Sequence, residues 1–109
     1  MSTISTHVLD TSLGKPAAGI RVTLRRDNSL IGSGTTDEDG RVRDLLEKDS
    51  ALTEGDYTLS FSVADYFAKT KRDTFYSDIQ VNFRIGAGSG HYHVPLLLSP
   101  FGYSTYRGS

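Results

Sequence analysis

The sequence predicts an all-β sandwich of antiparallel strands, and three observations carry that prediction. Apolar residues recur with period two in several segments, turn-forming clusters separate those segments, and a single short stretch reads as helix. The strongest alternations are Ile20-Val22-Leu24, Tyr57-Leu59-Phe61-Val63, Ile79-Val81-Phe83-Ile85 and Tyr92-Val94-Leu96-Leu98, each interleaved mainly with polar residues. Successive side chains of a strand point to opposite faces, so each segment buries one face and leaves the other polar.

Taken in order, Ile4 to Val8 is a weaker first strand, followed by a turn at Gly14-Lys15-Pro16. The strand around Ile20–Leu24 ends at the Asp27-Asn28 turn, and Leu30-Ile31 adds a short strand. Asp37-Glu38-Asp39-Gly40 is a fragment of a calcium loop without its spacing or its closing glutamate, and reads as a turn whose aspartates cap their own backbone. Arg41-Val42-Arg43 is a short strand leaving that turn. After Glu54-Gly55-Asp56 comes the Tyr57–Val63 strand, then one or two helical turns near Ala64–Lys69 that bury Phe67. The Gly86-Ala87-Gly88-Ser89-Gly90 loop lacks the Gly-Lys-Ser/Thr of a phosphate loop and reads as a hairpin connection. Pro95 removes a ladder donor, so its strand should have an edge, a bulge or an unpaired position there. The tail Tyr103 to Ser109 carries two tyrosines and an arginine, which suggests docking rather than fraying.

A chain of 109 residues is expected to form one domain spanning 1–109. Twelve basic residues against thirteen acidic ones give a net charge of −1, which argues against a phosphate-binding surface and so against nucleic acid as a partner. With no cysteine, disulfides, thiolate metal sites and thiol nucleophiles are excluded. No apolar run approaches the roughly 20 residues of a membrane span. The start of the chain has neither the basic nor the apolar region of a secretory signal, so a cytoplasmic protein without membrane partners is expected.

The remaining candidates for chemistry are His7, His91, His93 and Arg41. All three histidines fall on the polar faces of strands, and histidine alone exchanges protons near neutrality without a perturbed pKa. Two of them in one pocket could serve as base and acid, and the bland alternative is a solvated strand face. His91 and His93, at i and i+2, also fit two ligands of a metal, but no third ligand is evident. Arg41, placed by a tight turn, suits a carbonyl-rich or anionic ligand. Ser109 offers a hydroxyl and an α-carboxylate. From pattern alone, a hydrolase, a carrier of an aromatic ligand and an immunoglobulin-like adhesion or structural domain stand level.

The terminal Tyr106-Arg107-Gly108-Ser109 resembles the tetrapeptide signature of the 5-hydroxyisourate hydrolases, the transthyretin-related proteins. The resemblance runs through His91 to Thr105, Thr6-His7-Val8-Leu9-Asp10, Gly14-Lys15-Pro16-Ala17 and Asp37 to Arg41, and so covers nearly the whole chain. It implies a transthyretin-like antiparallel β-sandwich of about eight strands with a short helix after the fifth. It further implies a homotetramer, a dimer of dimers with active sites at the dimer–dimer interface. The implied reaction hydrolyses the ring amide of 5-hydroxyisourate, in urate degradation, to 2-oxo-4-hydroxy-4-carboxy-5-ureidoimidazoline, with no cofactor and no metal. By position the resemblance makes His7, Arg41, His93 and Ser109 catalytic and puts His7, Arg41 and Tyr106 on the substrate, while His91 either supports His93 or faces solvent. On this reading His7, the first choice, or His93 takes a proton from water, and Arg41 holds the developing oxyanion. The alternative is a transthyretin-like carrier without hydrolase activity.

Overall fold

The computed structural model describes residues 3–47, 50–88 and 90–109. Met1, Ser2 and Ser89, which entered the reading of the N-terminus and of the glycine-rich loop, lie outside these residues. The described residues form strands β1 (Thr3–Asp10), β2 (Lys15–Pro16), β3 (Arg21–Arg26), β4 (Ser29–Thr35), β5 (Arg41–Val42) and β6 (Gly55–Phe61). Helix α1 (Val63–Lys69), β7 (Ile79–Ile85), β8 (His91–Ser99) and β9 (Gly102–Thr105) follow. The helix comes after the sixth strand rather than the fifth, because the two-residue β2 is counted. Val63, read from its alternation as a strand residue, instead opens the helix as a buried anchor with Tyr66 and Phe67.

Two sheets face each other. One runs β2-β1-β8-β9, with β5 also paired to β1; the other runs β4-β3-β6-β7. Every pairing is antiparallel except that of β1 with β8, which is parallel and in register from Thr3–His91 to Asp10–Leu98. The period-two pattern dictates the core. Ile4, Val8, Val94, Leu96 and Leu98 turn inward from the first sheet, and Val22, Leu24, Leu59, Phe61, Ile79 and Ile85 meet them from the second. The opposite face of β1 and β8 carries Thr3, Ser5, His7, His91, His93 and Pro95, since residues paired in register share a face.

Pro95 behaves as its chemistry requires. Its carbonyl accepts the Thr105 hydroxyl (2.7 Å), so its missing N–H lies on the β9 side. The β8–β9 ladder ends one residue later, at Leu96–Thr105, and no ladder donor is lost. Gly32 closes the seam between the sheets: it bridges to Leu46, and a Cβ there would sit 1.7 Å from the Leu45 carbonyl oxygen.

At the end of β1, Asp10 is fully buried. Burial alone would raise its carboxyl, but the Arg72 guanidinium (2.6 Å), the Tyr66 hydroxyl (2.7 Å), the Ser12 hydroxyl and the Leu13 N–H donate to it and hold it down at about 2. Burial and this carboxylate push the Tyr66 phenol up to about 12. The Arg72 guanidinium also lies 4.9 Å from the centre of the Phe67 ring, so one arginine ties the helix to the first sheet.

Candidate functional site

The site is built on the polar face of the first sheet. The parallel register sets His93 beside Ser5 and His91 beside Thr3, while the antiparallel β1–β5 pairing sets Arg41 beside His7. Arg41 is delivered by the expected turn. Asp37 Oδ1 accepts the N–H groups of Asp39 (2.9 Å) and Arg41 (3.0 Å), and the Asp37 N–H donates to the Arg41 carbonyl (3.0 Å). These backbone donors, with Arg43 and Arg41 nearby, lower the Asp37 carboxyl below its ordinary value. Gly40 closes the turn with φ +76° and abuts the Val8 carbonyl, where a Cβ would stand 2.3 Å away.

A pocket of about 260 Å³ opens here, bounded by Arg41, Arg43, His91, His93, Ser109 and Ser5 among others. No acidic side chain is among the described residues lining it, so it presents guanidinium and imidazole groups to a ligand. The tail reaches the pocket through a bridge between Gly108 and His93, with the Gly108 N–H donating to the His93 carbonyl (2.8 Å). A Cβ on Gly108 would lie 2.6 Å from His93 Cδ2 and 3.2 Å from Pro95 Cγ, so the tail packs directly on the imidazole.

The histidines are linked by hydroxyls. Ser5 Oγ lies 2.8 Å from His93 Nδ1 and 3.1 Å from His91 Nε2, and Thr3 Oγ1 hydrogen-bonds His91 Nδ1. The two imidazoles lie nearly parallel, 6.4 Å apart. His93 is pushed below the ordinary histidine value by burial first, then by the charges of Arg41, His91 and His7, against a smaller opposing contribution from the Ser5 backbone. These causes favour the neutral imidazole, with Nδ1 engaged by Ser5 and Nε2 the remaining ring nitrogen.

The expected residues are thus brought together unequally. Arg41, His93 and Ser109 border one pocket. His7 stands beside it, next to Arg41 in register and near enough to bear on the charge of His93. Tyr106 does not reach this pocket within one chain; it is exposed and borders a neighbouring recess with Tyr92 and Arg107, which His93 also borders. Arg107 stacks its guanidinium 4.8 Å from the centre of the Tyr92 ring, which anchors the tail as its composition suggested. Ser5, Thr6 and Arg43 were missed. Ser5 shares the period-two face of His7, but a serine on a polar strand face is too ordinary to stand out. Among the described residues no three His, Asp or Glu side chains gather as a metal-binding group, and no helix is long and apolar enough to cross a membrane.

A 5-hydroxyisourate hydrolase of Salmonella dublin is 47% identical over 110 residues, covering 97% of this chain and 80% of its own. The structure of a Klebsiella pneumoniae 5-hydroxyisourate hydrolase superimposes with a TM-score of 0.90 at 38% identity, over 99% of this chain and all of its own. Sea bream transthyretin in complex with thyroxine superimposes with a TM-score of 0.86 at 26% identity, over 97% of this chain and 94% of its own. The model of the HIUase/Transthyretin family matches residues 4–108, and with that match the chain belongs to this family.

Proposed function

We propose that this chain is a 5-hydroxyisourate hydrolase, acting as one domain over residues 1–109. The observation that carries the reading is a half-buried His93 that shares with Arg41 a pocket lined, among the described residues, by no acidic side chain. Hydrolysis of a ring amide needs a base for water, a cation for the developing oxyanion and a donor for the leaving nitrogen. We assign the base to His93, because it borders the pocket together with Arg41 while its Nδ1 is engaged by Ser5, which leaves Nε2 to take the proton. That moves the first choice from His7, which we assign to orienting substrate and protonating the leaving nitrogen. Arg41 takes the carbonyl oxygen that becomes anionic, because its planar fork matches vicinal carbonyls. Water adds to the amide carbon, the C–N bond breaks, and the released nitrogen takes the proton, leaving a carboxylate.

Ser109 is assigned to holding the nucleophilic water or the substrate, and Tyr106 to binding substrate from a neighbouring copy. The second assignment fits the exposed position of Tyr106 and a homotetramer, a dimer of dimers, in which a facing copy completes each site. The expected location is cytoplasmic. The test is the ultraviolet absorbance of freshly generated 5-hydroxyisourate. The protein should accelerate its loss over spontaneous decay, and a rate equal to buffer alone would replace this reading with the ligand carrier.

A further inference from the structure

The chain of hydroxyls and imidazoles beside the pocket has a function of its own. We propose that Ser5 is a positioning residue that relays a proton between His93 and the exposed His91. The inference rests on the hydrolase reading and extends it to how the base is reset.

Ser5 Oγ stands between His93 Nδ1 (2.8 Å) and His91 Nε2 (3.1 Å), and a hydroxyl has one proton to donate while it can accept from either side. Two arrangements satisfy every contact. In the first, His93 Nδ1–H donates to Ser5 Oγ, Ser5 donates to His91 Nε2, and His91 Nδ1–H donates to Thr3 Oγ1. His93 Nε2 is then the free lone pair of a ring that borders the pocket. In the second, all three bonds reverse, with Thr3 donating to His91 Nδ1, His91 Nε2–H to Ser5 and Ser5 to His93 Nδ1. His93 then presents Nε2–H.

A turnover links the two. When His93 Nε2 takes a proton from water, its Nδ1 proton moves to Ser5 Oγ and the Ser5 proton moves to His91 Nε2. The O–H bond of Ser5 is broken and remade, no electron is gained or lost, and the charge ends on His91. His91 is exposed and passes its Nδ1 proton to solvent, and the Thr3 hydroxyl turns to donate to the freed nitrogen. His93 is left neutral with a donor toward the pocket, without rotating its ring. A base thereby becomes a hydrogen-bond donor in the site where the oxyanion has formed. Once product has left, the chain runs back and resets the base: the His93 Nε2 proton goes to water entering the pocket, the Ser5 proton moves to His93 Nδ1, the His91 Nε2 proton moves to Ser5, and His91 Nδ1 takes a proton from solvent. The parallel register makes this arrangement available: side chains at 3, 5, 91 and 93 share a face only because β1 and β8 run in step.

The test pairs kinetics with ring-nitrogen NMR of the histidines. Ser5→Ala should lower kcat by about 10–100-fold with KM unchanged, the range found when the partners that orient histidines at metal centres are removed. The 15N shifts of His93 and His91 should move together, and Ser5→Thr, which keeps the hydroxyl, should restore both. The acid limb of kcat/KM should also move, with Arg41, Arg43, His7 and His91 as the other charged or titratable groups around His93. Wild-type kcat, or unmoved nitrogen shifts, in Ser5→Ala would overturn the relay. His91→Gln, at an exposed strand position, keeps a donor but cannot carry the proton, and should lower kcat by a similar factor. A wild-type kcat there also overturns it. If the wild-type protein fails to accelerate decay of 5-hydroxyisourate, the hydrolase reading falls, while the nitrogen shifts still report on the relay.

Discussion

Asp10 should make the stability of this protein fall on acidification in a way that one substitution removes. Its carboxyl is held at about 2, against an ordinary 3.8, by hydrogen bonds from Arg72, Tyr66, Ser12 and the Leu13 backbone that outweigh its burial. At 1.36 kcal/mol per decade, that difference corresponds to about 2–3 kcal/mol of folding stability. Because the folded value lies below the unfolded one, the contribution is complete above about pH 5 and mostly gone by about pH 2. Asp10→Asn cannot titrate. The stability gap between wild type and variant should therefore shrink by about 2–3 kcal/mol between neutrality and about pH 2. Urea unfolding followed by far-ultraviolet circular dichroism, at one protomer concentration throughout, measures both curves. Taking the difference cancels the other carboxylates. A gap of constant size across that range would show that Asp10 is not held in its ionised form by the fold.

Arg41→Gln should move the acid limb of kcat/KM upward toward the ordinary histidine range, because it removes a positive charge that disfavours protonated His93; a limb that stays put in a pH–rate profile would separate Arg41 from the base. Gly108→Ala places a methyl 2.6 Å from His93 Cδ2 and should cut turnover by at least about tenfold through a displaced imidazole, with a melting temperature near that of wild type, since misplacing a catalytic group by about 1 Å costs of that order or more. Gly32→Ala meets backbone rather than a movable side chain, 1.7 Å from the Leu45 carbonyl, and should destabilise by about 1–3 kcal/mol in a denaturant titration while leaving the kcat of the folded fraction unchanged.

Elements whose information is local could be read from the sequence. The strand over Ile79–Ile85 has the limits its alternation marks, and the helix buries Phe67 as expected. The turn at Asp37 to Gly40 follows from an aspartate capping its own backbone. Features set by pairing were harder. Nothing in Ile4–Val8 or in Tyr92–Leu98 states that the two strands run parallel, because alternation fixes which face is buried and not which neighbour is chosen. The composition of Tyr103 to Ser109 speaks for docking but not for a strand; Tyr103 to Thr105 belong to β9 only through its ladder with β8. The chemistry followed the same division. His7, Arg41 and His93 were legible as residue types on polar faces, whereas Ser5 gains its role only from the register that sets it between two imidazoles.

The hydrogen bonds that build the pocket join residues 86–88 positions apart in the chain, and this has a consequence for synthesis. Chains emerge from the N-terminus, so β3, β4, β6 and β7 can complete the second sheet while β1 still lacks its long partner. Until residues 91–109 are made, β1 has one long open edge, bearing on one side the apolar set Ile4 and Val8. A ribosome that stalls before β8 would therefore release a chain with a finished half and an adhesive one. On the proposed reading the pocket forms only when residues 91–109 have joined β1, so activity reports closure of the first sheet.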